Sequence, residues 1–450
     1  MSNNLMRKAV KTALYAMASL AVNAGANAAT LDEALTQAWQ NNPSLAAERE
    51  SLAAAQNQVD AAKGGYYPQV KVFGGIGTSH NDVTFMPIPG FSLPLNEFSL
   101  NTRQVGIEAD QVIYAGGKVT GTVDIAQHQR DAEEAHLHGV EQGILLDAAQ
   151  AYMNVLESQA VLALEQSNEN VLKQALDAAQ ANFDNGEVTH TDVDQAKARL
   201  AGTQAARIQA QGAVTSAMAT YERVIGIQPD SLQQPVALGG LPASQQDALA
   251  LADHNYAVIA AQAQSAAAQS NVDVAESSNK PSLELVGQVS HANEPQFLFE
   301  KLDTRSIMLN LSWPLFAGGS TTSQIHAAKH QAASSEQQAL DARRQARDQV
   351  ISAWQAYQTA TAGLAAIQVE ITAAQSAYDG VQAEYKEGER TTLDVLNAEQ
   401  ELLNAKVNQV KAESDETVAE YSLKAATGSL TADDLHLKVQ KPADDTAASE

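Results

Sequence analysis

Apolar residues recur with a period of two in four short stretches of the chain. Val70, Val72 and Ile76 alternate with smaller or polar neighbours, and Val105, Ile107 and Ala109 alternate with Gln104, Gly106, Glu108 and Asp110. Farther on, Leu283, Leu285 and Val289 alternate with Glu284, Gln288 and Ser290, and Ile307, Leu309, Leu311 and Trp313 with Met308, Asn310 and Ser312. Successive side chains of a strand point to opposite faces, so the pattern predicts strands over 69–79, 103–114, 282–291 and 305–316. One apolar and one polar face suits a barrel wall between lipid and water.

Between these stretches the pattern is helical. Leu31 to about Lys63 predicts a helix opened by Thr30 as N-cap, with Glu33 three residues on as an imperfect capping box. From Lys118 to Asn182 no proline interrupts the chain. That stretch predicts a helix, or two stacked helices, of roughly 100 Å. Thr191 to Ile225 and Ala248 to Ser278 read the same way. In the last helical stretch, Leu396, Leu403, Val410 and Thr417 interleave with Gln400, Val407, Ser414 and Tyr421 as a heptad stripe. The earlier counterpart is a stripe of small residues, Ala198, Ala201, Ala205 and Gly212, which would permit close helix approach.

The chain is a tandem duplication. FDNGEVTHTDVDQ from Phe183 to Gln195 returns as YKEGERTTLDVLN from Tyr385 to Asn397, 202 residues later. Gly186 and Gly388 mark the two turns, and Asp192 corresponds to Asp394. At the same offset, the doubled glycines Gly116-Gly117 and Gly318-Gly319 mark strand-to-helix junctions, where a β-carbon would obstruct the turn. The organisation is therefore a first repeat over 29–226, a proline-bearing linker over 227–246, a second repeat over 247–428 and a short acidic tail over 429–450. Disorder is expected from about Lys441. The copies differ in charge: Tyr385, Arg390 and Asn397 stand where the first copy has Phe183, Val188 and Gln195.

Composition narrows the function. Aromatic residues are only 5% of the 450 residues, which suits long close-packed helices. The chain has no cysteine, which excludes disulfides and thiolate chemistry. A formal charge of -25 argues against nucleic acid as a partner. Arg7, Lys8 and Lys11, then an apolar run and Ala26-Asn27-Ala28, read as a cleaved secretion signal over 1–28. No later stretch is apolar for long enough to make a spanning helix, so entry into a membrane would be by strands. Four strands from one chain cannot enclose a channel, so several chains must share a barrel; three would supply twelve strands.

No G-x-S-x-G elbow, Walker A loop or HExxH motif is present, so neither an enzyme nor a cofactor is expected. His128, His136 and His138, with Glu133 and Glu134 nearby, make no established metal motif and read as helix surface. Alone, Arg390 reads as a solvated charge and Asp394 as an acid favoured at a helix N-terminus.

The whole plan resembles the TolC family of outer-membrane efflux and secretion channels, over roughly residues 30–435. The resemblance rests on the duplicated helix-strand-strand-helix order, the Tyr-Ala-Gly-Gly and Phe-Ala-Gly-Gly junctions, and Gly388-Glu389-Arg390-Thr391-Thr392-Leu393-Asp394-Val395-Leu396. It implies a mainly α fold with membrane β: a homotrimer whose twelve-stranded β-barrel lies in outer-membrane lipid and continues as a periplasmic coiled helical tunnel. The implied partners are a periplasmic adaptor and an inner-membrane transporter, and the cargo is either proteins or small toxic compounds. It further implies a latch at the narrow end, with Arg390 bonded to Thr191 and Asp192, Tyr385 bonded to Asp192, and Asp394 and Asn397 lining the aperture. The alternative is a poreless periplasmic coiled-coil scaffold or adaptor.

Overall fold

A computed structural model describes residues 29–82, 97–296 and 299–439. The expected secretion signal over 1–28 and the end of the acidic tail lie outside these residues. The first repeat contains α1 (Leu31–Asn41), α2 (Pro43–Lys63), β1 (Gln69–Asp82), β2 (Glu97–Tyr114), α3 (Lys118–Asp184) and α4 (His190–Ile225). The second contains α5 (Gln245–Ala250), α6 (Tyr256–Ser277), β3 (Ser282–Gln296), β4 (Phe299–Ser312), α7 (Ser320–Lys386) and α8 (Thr392–Ala426). Helices α3 and α7 are each continuous over 67 residues, a length of about 100 Å.

The helix expected over Leu31 to Lys63 is two helices. Thr30 opens the first through the expected capping box, and the chain breaks at Asn42, whose side chain accepts from the Ser44 amide at 2.9 Å. Pro43 sits at the first position of α2, where its missing N–H costs no helical bond. The second repeat uses the same device, with Asn255 accepting from the Ala257 amide at 2.9 Å. Each asparagine also reaches an equivalent helix end: Asn42 donates to the Val224 carbonyl at 3.5 Å and Asn255 to that of Ala426 at 3.2 Å.

The strands form one antiparallel sheet in the order β1-β2-β3-β4. Val70 pairs with Ala109 and Val72 with Ile107; in the second hairpin Leu283 pairs with Leu311 and Leu285 with Leu309. Ala109 and Leu311, like Ile107 and Leu309, are repeat equivalents, so the duplication extends to strand register. One face is an apolar belt exposed in the single chain, with Val72 73%, Ile76 86%, Ile307 81% and Leu311 70% accessible. On the other face Lys71 bridges Glu108 and Asp110. Strand β4 stops at Ser312 rather than at 316, because Pro314 cannot donate to a ladder. Trp313 beyond it donates its indole N–H to the Asn279 carbonyl at 3.2 Å. The outer edges of β1 and β4 have no strand partner among the described residues.

The main core lies midway along the long helices. Leu35 and Trp39 of α1, Leu145 and Tyr152 of α3, and Tyr221 and Ile225 of α4 bury one another there. The segment after Gly428 is no mere tail, since Leu430 and Ala432 belong to this core. Glu141 ties it in place: Oε1 accepts from the Trp39 indole at 2.7 Å and from the Ala432 amide at 3.2 Å, while Oε2 meets His138 Nδ1 at 3.2 Å. Burial pushes this carboxyl up, but those three hydrogen bonds outweigh it and hold its pKa below the usual glutamate value.

On α4 the buried stripe is Val193, Ala196, Thr203, Ala210, Val214, Ala217 and Tyr221. The small residues Ala198, Ala201, Ala205 and Gly212 lie on another face of α4, which is exposed in the single chain.

Candidate functional site at the helical tips

The two helical tips are built alike. At the first, the Gly186 amide donates to the Phe183 carbonyl at 2.9 Å and the Glu187 amide to that of Asn182 at 2.8 Å. At the second, Gly388 donates to Tyr385 at 3.0 Å and Glu389 to Glu384 at 2.9 Å. This paired closure of a helix end needs a left-handed residue, and the φ values of Gly186 and Gly388 are 78° and 79°. The junction glycines are likewise left-handed, with Gly116, Gly117, Gly318 and Gly319 at 62°, 95°, 63° and 84°.

A capping box starts the helix after each turn. Asp192 Oδ2 accepts from the Thr189 amide at 2.9 Å and hydroxyl at 2.7 Å, and Asp394 Oδ2 accepts from Thr391 at the same two distances. Hydrogen bonds from Thr189 and Thr391 hold the Asp192 and Asp394 carboxyls below the ordinary aspartate range. Each aspartate is thus first a helix cap, with Oδ1 left outside that box.

The other expected latch residues have local partners within the chain. Arg390 Nε donates to Glu384 Oε2 at 2.7 Å, across its own turn, and this partner raises the guanidinium pKa. The Tyr385 hydroxyl accepts from Thr392 Oγ1 at 3.4 Å. Thr191 is exposed. None of the described hydrogen bonds joins Arg390 or Tyr385 to Thr191 or Asp192 inside one chain.

A contact that sequence reading missed joins the two repeats here. Arg199 on α4 donates through Nη2 to Asn397 Oδ1 on α8 at 2.9 Å. Arg199 belongs to no motif; its one signal is its place a turn beyond Gln195, the counterpart of Asn397. Farther along the first hairpin, Arg207 pairs with Glu169 at 2.7 Å and Asn168 donates to Thr203 at 3.3 Å. The first hairpin is held by polar rungs as well as by packing.

A duplicated helical bundle crowned by an apolar-faced open sheet is an architecture that comparison can test. Residues 34–226 and 249–429 match the family model for outer membrane efflux proteins. The chain belongs to the outer membrane efflux protein family. It is 35% identical over 413 residues to the outer membrane efflux protein BepC of Brucella suis biovar 1, covering 91% of this chain and 88% of that one. It is 25% identical over 418 residues to the outer membrane protein TolC of Vibrio cholerae, covering 91% and 92%. The fold matches crystal structures of CusC with a TM-score of 0.77 at 20% identity, covering 91% of this chain and 95% of that one. As an outer membrane efflux protein it is a transport channel component and not an enzyme, and it resides in the outer membrane with its helices in the periplasm. The fold class expected from sequence is the one these neighbours share. The poreless-scaffold alternative is left without support.

Proposed function

We propose that this outer membrane efflux protein is the exit duct of a tripartite export system, working as a homotrimer with a periplasmic adaptor and an inner-membrane transporter. The observation that carries this reading is the sheet: four strands, apolar on one face, with both edges open. Open edges are not viable in lipid, so the strands must be closed by copies of themselves. The long helices would then surround a periplasmic tunnel. BepC, described as an efflux protein, favours small toxic compounds over proteins as cargo.

The helical tips supply the gate. A guanidinium has five N–H donors, and Glu384 engages only Nε of Arg390. The remaining donors can reach Thr191 and Asp192 Oδ1 of the other tip, in the same or a neighbouring protomer. Tyr385 adds a hydroxyl toward Asp192, and three copies of Asp394 ring the aperture. Charge-assisted bonds of this kind lock helices whose release widens the tunnel.

Planar-bilayer conductance of the mature protein beside its Arg390→Ser variant tests the reading. Small, steady openings that enlarge in the variant are expected. A membrane-inserted trimer without conductance would overturn the duct, and a variant with unchanged conductance would remove Arg390 from the gate.

A further inference from the structure

Away from the tips and the sheet, Glu48 of α2 and Glu133 and His136 of α3 converge, with one ligand atom from each lying within 4.8 Å of the others. Glu133 and His136 are spaced three residues apart, which puts them one above the other on the same side of α3. Glu48 faces them from α2, and its Oε2 stands 3.2 Å from His136 Nδ1. That separation is close to the edge of a tetrahedron with bonds of about 2.0–2.1 Å, the distances at which zinc binds nitrogen and carboxylate oxygen. No lysine or arginine is paired with either glutamate among the described residues; the partner of Glu48 is His136 itself.

We propose that Glu48, Glu133 and His136 bind one divalent transition-metal ion of the zinc class per protomer. The donor set selects that class. An imidazole with two carboxylates suits zinc and its neighbours, whereas magnesium and calcium prefer oxygen alone. Glu133 closes onto the ion by turning its flexible side chain, and water completes the coordination. The ion cross-links α2 to α3 beside the main core. Sequence reading set Glu133 and His136 aside as helix surface, because the third ligand, Glu48, lies 88 residues from His136 and only the packing of α2 on α3 unites them.

The test is calorimetric titration of zinc chloride into the detergent-solubilised, tag-free mature protein, beside His136→Gln and Glu48→Gln. The expected result is saturable uptake of one zinc per protomer, absent in both variants, with no uptake of magnesium by any of the three. Thermal melting gives a second readout: the wild-type midpoint climbs with zinc, while the variants fold equally well without zinc and do not respond. Absence of saturable zinc uptake by the wild type, or equal uptake by the variants, overturns the proposal. Variants that melt earlier than a zinc-insensitive wild type would reveal a helix-to-helix hydrogen bond only, which also overturns it.

Discussion

At Asn397 the neighbour decides what a substitution does. Viewed as an aperture residue alone, Asn397→Asp would add a second acidic ring and strengthen block by multivalent cations. Beside Arg199 at 2.9 Å, the new carboxylate would instead turn a hydrogen bond charged on one side into an ion pair with the guanidinium. Asn397→Asp is therefore expected to lower conductance with little added cation block, and the double variant Arg199→Ala, Asn397→Asp to show strong block. Block by a trivalent cation from the periplasmic side, measured in both, checks this. A different acid near the tip sets a pH dependence. Burial pushes the Glu399 carboxyl up to about 7, whereas an ordinary glutamate releases its proton near about 4.3. Its folded pKa is raised, so its favourable contribution is complete below the unfolded value and is lost as pH rises through about 7. Glu399→Gln should raise the melting midpoint at pH 8 and leave it unchanged at pH 4.

At the scale of elements, the duplication predicts an interface between copies. Within one chain, β2 meets β3 with Ile107 opposite Val289 and Ala109 opposite Gly287. The repeat equivalents of those residues place Leu309 of β4 opposite Ile76 of a neighbour's β1, and Leu311 opposite Gly74. Cysteines at Leu309 and Ile76 in this cysteine-free chain should give disulfide-linked trimers on non-reducing gels. Leu309→Cys with Gly77→Cys, one residue out of register, should not, because a one-residue slip turns the side chain to the other face. The elements themselves were largely legible in sequence. Alternation around Val72 and Ile107 named the strands, and the doubled glycines named the junctions, because backbone sterics act locally. The break at Asn42 was legible too, as an asparagine cap followed by Pro43, but the unbroken helical pattern on either side hid it; what packing alone set was the Arg199–Asn397 bond across 198 residues. The partner of Arg390 is set by the turn: the left-handed Gly388 brings Glu384, six residues back, beside the guanidinium.

Over the whole molecule, the core joins the beginning of the first repeat to the segment beyond the second. Leu430 is fully buried, so Leu430→Ala should cost about 2–5 kcal/mol, read by chemical denaturation of the detergent-solubilised protein. A chain ending at Gly428 also loses the Ala432 amide from Glu141, and should melt earlier still. Charge at that hub carries its own sign. Glu141 is held below its ordinary pKa, so its contribution is present at neutral pH and fades as pH falls through the folded value. Its His138 partner is the first contact to probe, by comparing acid denaturation of the wild type and His138→Gln.

The two open edges of the sheet make each protomer a monomer in the polymer chemist's sense. One edge, β1, is a head; the other, β4, is a tail, and only a ring satisfies both. A copy without a head terminates growth. A co-expressed fragment that carries β2, β3 and β4 but no β1 should therefore act as a chain stopper, leaving arcs that cannot close in the bilayer.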